Sequence, residues 1–117
     1  MFVLFYAHLI MKLNKNNHLG VYVNNIREAE DYYSSLFGFK LVSRENEKIG
    51  FKNRDQFFYI IKSKNESGAI IEFEVEDIEK VKLLLQKNGC KILKWDGKGG
   101  DCFIKDSYGM IFNFWEK

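Results

Sequence analysis

Proline is absent from the 117 residues, and there are only two cysteines and two histidines. Without proline, no stiff Pro-rich linker separates one part of the chain from another. Two histidines leave little room for a Ser-His-Asp or Cys-His constellation, and none can be picked out. His8, Cys90 and Cys102 do not form any spacing typical of a zinc site. If residues 91–105 form a hairpin around Gly97–Gly100, Cys102 faces roughly residue 94, which disfavours a bridge to Cys90. Free thiols and the lack of an export signal point to a reducing cytoplasm. Long apolar runs are also missing. Met1–Ile10 spans ten residues, half of the ~20 that a membrane helix needs. It lacks the basic start and small-residue cleavage site of a signal peptide. No membrane partner is expected. Charge of one sign is lacking too: 18 basic and 16 acidic residues interleave to a net +2, so no nucleic-acid footprint forms.

What the chain does have is a repeat. HLGVYVNNIREAEDYYSSLFGFKLV, residues 18–42, returns in degenerate form from Ile70 as IIEFEVEDIEKVKLLLQKNGCKILK. With His18 set on Ile70, Val23 falls on Val75, Ile26 on Ile78, Ala29 on Val81 and Tyr33 on Leu85. One deletion later, Gly38 falls on Gly89 and Lys40 on Lys91. A doubled supersecondary unit implies an internal repeat, with any site expected between the halves. The length suits one core, and 16% aromatic residues, led by eleven Phe, suggest packed strands or an aromatic-lined cavity.

In chain order, residues 1–16 read as an N-terminal arm and 17–117 as a single domain, with modules at 17–63 and 69–117. His18–Val23 alternates as a half-buried strand. Asn25 caps a helix, with Glu28 completing a capping-box-like pair, and Gly38 ends it. Three short strands follow, Phe39–Arg44, Lys48–Phe51 and Gln56–Lys62. Lys64–Gly68 is linker-like. The second module repeats the plan: a strand from Ile70, a helix capped by Asp77 and stopped at Asn88-Gly89, then strands Lys91–Trp95, Asp101–Lys105 and Met110–Trp115. The order is βαβββ–βαβββ. Asp96-Gly97-Lys98-Gly99-Gly100 lacks the GxxxxGK[ST] spacing and a following helix, so it reads as a hairpin turn or lid rather than a phosphate loop.

These residues resemble the vicinal oxygen chelate superfamily, the glyoxalase, bleomycin-resistance and extradiol dioxygenase group. HLGVYVNNIREAEDYYSSLFGFKLV resembles its opening strand-helix-strand, IEFEVEDIEKVKLLLQKNGCKI the start of its second module, and DSYGMIFNFWE its closing turn and strand. The resemblance covers about residues 16–116. It implies an α+β fold, two βαβββ modules forming a cupped, barrel-like sheet. It also implies four metal-ligand slots, which fall here on His18, Ile60, Ile70 and Asn113. Only His18 is a strong ligand, and two isoleucines coordinate nothing. No metal or other cofactor is therefore expected.

Under the same resemblance, alternation assigns a ligand pocket to His18, Tyr22, Phe58, Ile60, Ile70, Glu72, Glu74, Trp95, Phe103, Ile111, Asn113 and Trp115, with Gly20 on the same face. That mostly apolar lining suits a small organic molecule, aromatic or cationic, held by stacking beside Glu72 and Glu74. The implied function is metal-free binding, sequestration or sensing by a homodimer, and the three substituted slots lean away from catalysis without deciding it. The alternatives are a divalent-metal lyase, isomerase or dioxygenase using His18 and Glu72, and an interaction module whose cavity is closed by its own Phe and Trp side chains. Against each functional reading stands a plainer one. His18 without partners is a leftover histidine, Glu72 a solvated strand residue, and the tryptophans seal a sheet end.

Overall fold

The computed structural model describes residues 11–117. Residues 1–10, most of the expected arm, and His8 with them, lie outside the described residues. The chain divides into two compact units, residues 17–72 and residues 73–117, the latter including 11–16 among the described residues.

The strands and helices come in the expected order. β1 (Asn14–Val23), α1 (Ile26–Asp31), β2 (Lys40–Arg44), β3 (Lys48–Asn53) and β4 (Gln56–Lys62) form the first copy; β5 (Gly68–Glu74), α2 (Ile78–Lys87), β6 (Lys91–Trp95), β7 (Cys102–Lys105) and β8 (Ile111–Trp115) form the second. β1 begins at Asn14, so part of the expected arm is strand. Side-chain caps open both helices: the Glu28 N–H donates to Asn25 Oδ1 at 3.1 Å and the Lys80 N–H to Asp77 Oδ1 at 3.2 Å. These bonds satisfy backbone donors that have no intrahelical acceptor. Gly38 and Gly89 stop the helices with φ of 71° and 84°, a left-handed conformation that glycine adopts without a Cβ clash.

Two irregularities confirm that the copies share one plan. The first copy carries one residue more between its histidine and its stop glycine than the second does between Ile70 and Gly89. The extra residue is absorbed by a π-helical turn, Tyr32–Leu36, that continues α1; a wider turn accommodates one inserted residue. Beyond each glycine the edge hairpin bulges at the same offset. The register jumps from Leu41 to Ser43 in β2 and from Ile92 to Lys94 in β6, leaving Val42 and Leu93 as the extra residues.

Within residues 17–72 the strand order is β2-β3-β4-β1, antiparallel except for the parallel β4/β1 pair. The core beneath α1 holds Ile49, Phe51 and Ile60, with Val21, Val23, Ile26, Ala29, Tyr33, Phe39 and Phe58 packed on it. Within residues 73–117, β6, β7 and β8 pair antiparallel. The Val75 N–H donates to the Trp115 carbonyl at 2.9 Å. This second core gathers Val75, Ile78, Val81, Leu85, Cys102, Ile104 and Phe114 under α2. Phe51 has no exposed surface; burying one such ring contributes about 1.5–3 kcal/mol. Among the described residues no helix is long and apolar enough to cross a membrane.

Candidate functional site

The parallel pairing of β1 with β4 decides what surrounds His18. Partners in register are His18 with Phe57, Gly20 with Tyr59 and Tyr22 with Ile61, while Leu19 and Val21 face the same way as Phe58 and Ile60. Phe58 and Ile60 therefore point into the core beneath α1, not onto the His18 face where alternation was expected to put them. The reason is local. Phe57-Phe58-Tyr59-Ile60-Ile61 is apolar on both faces, so its periodicity carries no sign, and only the register supplies one. Phe57 and Tyr59 take the places assigned to Phe58 and Ile60.

His18 lies at the centre of this face. Its Nδ1 is 3.1 Å from Glu72 Oε2, the carboxylate coming from β5; the side chains are 38% and 7% exposed. Phe57 meets the imidazole edge-on at 5.0 Å between centroids. A buried carboxylate paired with Nδ1 fixes the ring orientation. Tyr59 lies flat over Gly20: a Cβ there would fall 2.2 Å from its ring, so only glycine lets the tyrosine close over β1. β3 brings two cations to the same face. Lys48 Nζ lies 5.0 Å from the Tyr59 centroid and Lys52 Nζ 5.3 Å from that of Phe57, close enough for cation–π attraction. Phe57, Tyr59, Lys48 and Lys52 were missed from sequence because their face depends on strand pairing. Tyr22 and Ile70 are present but buried, Ile70 completely.

In residues 73–117, Phe103 pairs with Asn113 and Lys105 with Ile111, on the side of the strands away from α2. Phe103, Ile111 and Asn113 are nearly inaccessible, at 1%, 2% and 2% exposure; Glu74 is exposed and Trp115 half-buried. The Asn113 amide is committed. Its Oδ1 accepts from the Cys102 N–H at 2.9 Å and its Nδ2 lies 3.5 Å from Asp101 Oδ1. Trp95 does not join Phe103. The bulge at Leu93 reverses the face of β6, so Trp95 pairs with Cys102 and packs on the α2 core, its Nε1–H donating to Glu79 Oε2 at 3.2 Å. Both cysteines are free, and burial pushes both thiol pKa values up.

A doubled βαβββ unit with a histidine on the first strand defines a glyoxalase-like protein. The profile of the Glyoxalase/Bleomycin resistance protein/Dioxygenase superfamily matches residues 15–114, and the chain belongs to that superfamily. Among solved structures, an extradiol ring-cleaving dioxygenase from B. fuscum superposes with a TM-score of 0.65 at 15% identity, over 92% of this chain and 33% of its own. The chain thus spans about a third of that enzyme's length. A hypothetical protein from Bacillus halodurans gives a TM-score of 0.60 at 19% identity, covering 91% and 94% of the two chains. A Mn(II)-bound glyoxalase from Novosphingobium aromaticivorans gives 0.61 at 13%, covering 92% and 40%. No curated protein matches the sequence.

The donor set does not fit a divalent ion such as the Mn(II) of the Novosphingobium aromaticivorans glyoxalase. Among the described residues, no three His, Cys, Asp or Glu side chains gather where an ion could sit. His18 and Glu72 are bonded to each other, and the β4 residues sharing their face are Phe57, Tyr59 and Ile61. A catalytic divalent site takes about three protein ligands, usually imidazole and carboxylate.

Proposed function

We propose that this protein binds a small aromatic organic molecule on the His18 face without a resident metal, for sequestration or sensing rather than catalysis. The observation that carries this reading is the His18–Glu72 pair. A part-exposed imidazole is held by a buried carboxylate and flanked by the Phe57 ring. Such an arrangement suits an aromatic ligand stacked against an oriented imidazole. Glu72 is engaged by His18, and Lys48 and Lys52 share its face. The positive charge of Lys52 beside the Phe57 ring favours a neutral or acidic aromatic ligand over a cationic one. In this reading the protein works as a homodimer in a reducing cytoplasm, consistent with its free thiols.

Thermal unfolding of the chelator-treated protein against paired aromatic carboxylates and aromatic amines tests the proposal. A fitting acid at ~100 times its dissociation constant adds about 2.7 kcal/mol, and His18→Ala abolishes the shift. Stabilisation that requires added Mn(II) or Ni(II) overturns it. That result favours the second reading, a metal-dependent enzyme built on His18 and Glu72, whose supporting observation is the adjacency of those two donors.

A further inference from the structure

Strand pairing in residues 17–72 lines up four side chains across four strands. Lys40 of β2 stands opposite Lys52 of β3, Lys52 opposite Phe57 of β4, and Phe57 beside His18 of β1. Partners in register share a face of the sheet, so the row sets two cations, a ring and the imidazole side by side. The bulge at Val42 follows Lys40 and leaves the row intact.

Like charges directly opposite on adjacent strands repel and destabilise the pairing. The neighbouring carboxylates do not offset this repulsion, since Glu30 holds Arg44 and Glu72 holds His18. Among the described residues, neither Lys40 nor Lys52 takes part in an ion pair. Both lysines are exposed, within reach of an anion from solvent. Lys52 Nζ lies 5.3 Å from the Phe57 centroid, which puts one positive charge beside the aromatic surface. Lys40 adds a second charge one strand further on, a spacing of about 4.8 Å. The repeat supplies its own comparison. Lys91 and Lys105 are opposed in the same way in the second copy, but the next residue in that row is Ile111, at 2% exposure. Those cations flank no ring.

We propose that the His18 face is specific for an aromatic molecule carrying two adjacent negative charges, an aryl dicarboxylate or an aryl phosphate monoester. The proposal rests on the aromatic-binding reading given above and adds the second charge to it. The ring packs beside Phe57 and His18, Lys52 takes the nearer charge and Lys40 the farther one. Isothermal titration of the full chain with four probes tests this. Benzylmalonate and phenyl phosphate carry a ring and two charges, hydrocinnamate a ring and one charge, and malonate two charges without a ring. One of the two aryl dianions binds about fivefold more tightly than hydrocinnamate, the upper range for an exposed charge pair, and the tighter of the two identifies the acid. Malonate binds more weakly than either. Lys40→Gln brings the dianion down to the affinity of hydrocinnamate, Lys52→Gln weakens both, and Lys105→Gln weakens neither. Equal affinity for the dianions and hydrocinnamate, malonate as tight as benzylmalonate, or equal losses in Lys40→Gln and Lys105→Gln overturn the assignment. In those cases hydrocinnamate binding that is lost in His18→Ala leaves the aromatic reading standing. Failure of every aromatic acid to bind overturns both.

Discussion

The two copies of the repeat solve the same packing problem with different side chains. Under α1 the space is filled by rings. Tyr33 meets Phe37, Phe39, Phe51 and Phe58 at centroid distances of 4.7–6.3 Å. In the second copy the position of Tyr33 is taken by Leu85, and Leu85 lines a cavity of about 330 Å³. Exchanging a ring for a branched aliphatic chain leaves volume that the neighbours do not close. The opposite faces differ in the reverse sense. The first copy presents His18, held by Glu72 and still 38% exposed. The second presents Asn113, whose amide is spent on β7. Duplication supplied two equivalent scaffolds; the side chains gave one a polar face and the other an apolar hollow.

The largest test of this contrast is truncation in each core. Phe51→Ala removes a ring with no exposed surface from the filled core and should cost about 3–5 kcal/mol. Phe114→Ala enlarges an existing cavity and should fall at the low end of that range. Chemical denaturation measures both, and equal costs break the comparison. Asn113→Leu comes next. It leaves the buried Cys102 N–H without its acceptor and should cost about 1–3 kcal/mol, with faster amide exchange at Cys102. If Asn113 were held for a ligand instead, stability would change little. Burial of the thiols predicts a pH effect. A thiol whose pKa is raised on folding favours the native state fully below the unfolded value near 9. Stability should then fall as pH rises from about 9 towards the folded values, and replacing both cysteines with alanine should flatten that limb. The smallest effect is Glu72→Gln, under about 1 kcal/mol because His18 is part-exposed. Its readout is the imidazole NMR signal, which should broaden as the ring loses its anchor.

Much of the fold was legible because both copies obey strong local rules. Asn25 and Asp77 cap, Gly38 and Gly89 stop, and apolar residues recur at helical spacing between them. Even the one-residue deletion in the alignment has a structural counterpart in the π turn. The site was less legible, for two reasons. A strand apolar on both faces, Phe57–Ile61, has no readable parity, which misplaced Phe58 and Ile60. A bulge at Leu93 reverses Trp95, and no residue type announces it. The burial of Ile70, Phe103 and Ile111, expected in an open pocket, depends on tertiary packing that alternation does not report. His18 and Glu72 were each visible as candidates. Their pairing, 54 residues apart in sequence, required the strands to be placed.

The central claim is that the His18 face binds without a metal, and metal content tests it most directly. The protein would be purified without a tag, incubated in turn with nickel, cobalt, zinc and manganese, desalted and measured by mass spectrometry. The account predicts well below one equivalent of each ion per chain, unchanged by His18→Ala. One equivalent per chain, lost in His18→Ala and in Glu72→Gln, would contradict it and make the pair the nucleus of a metal centre.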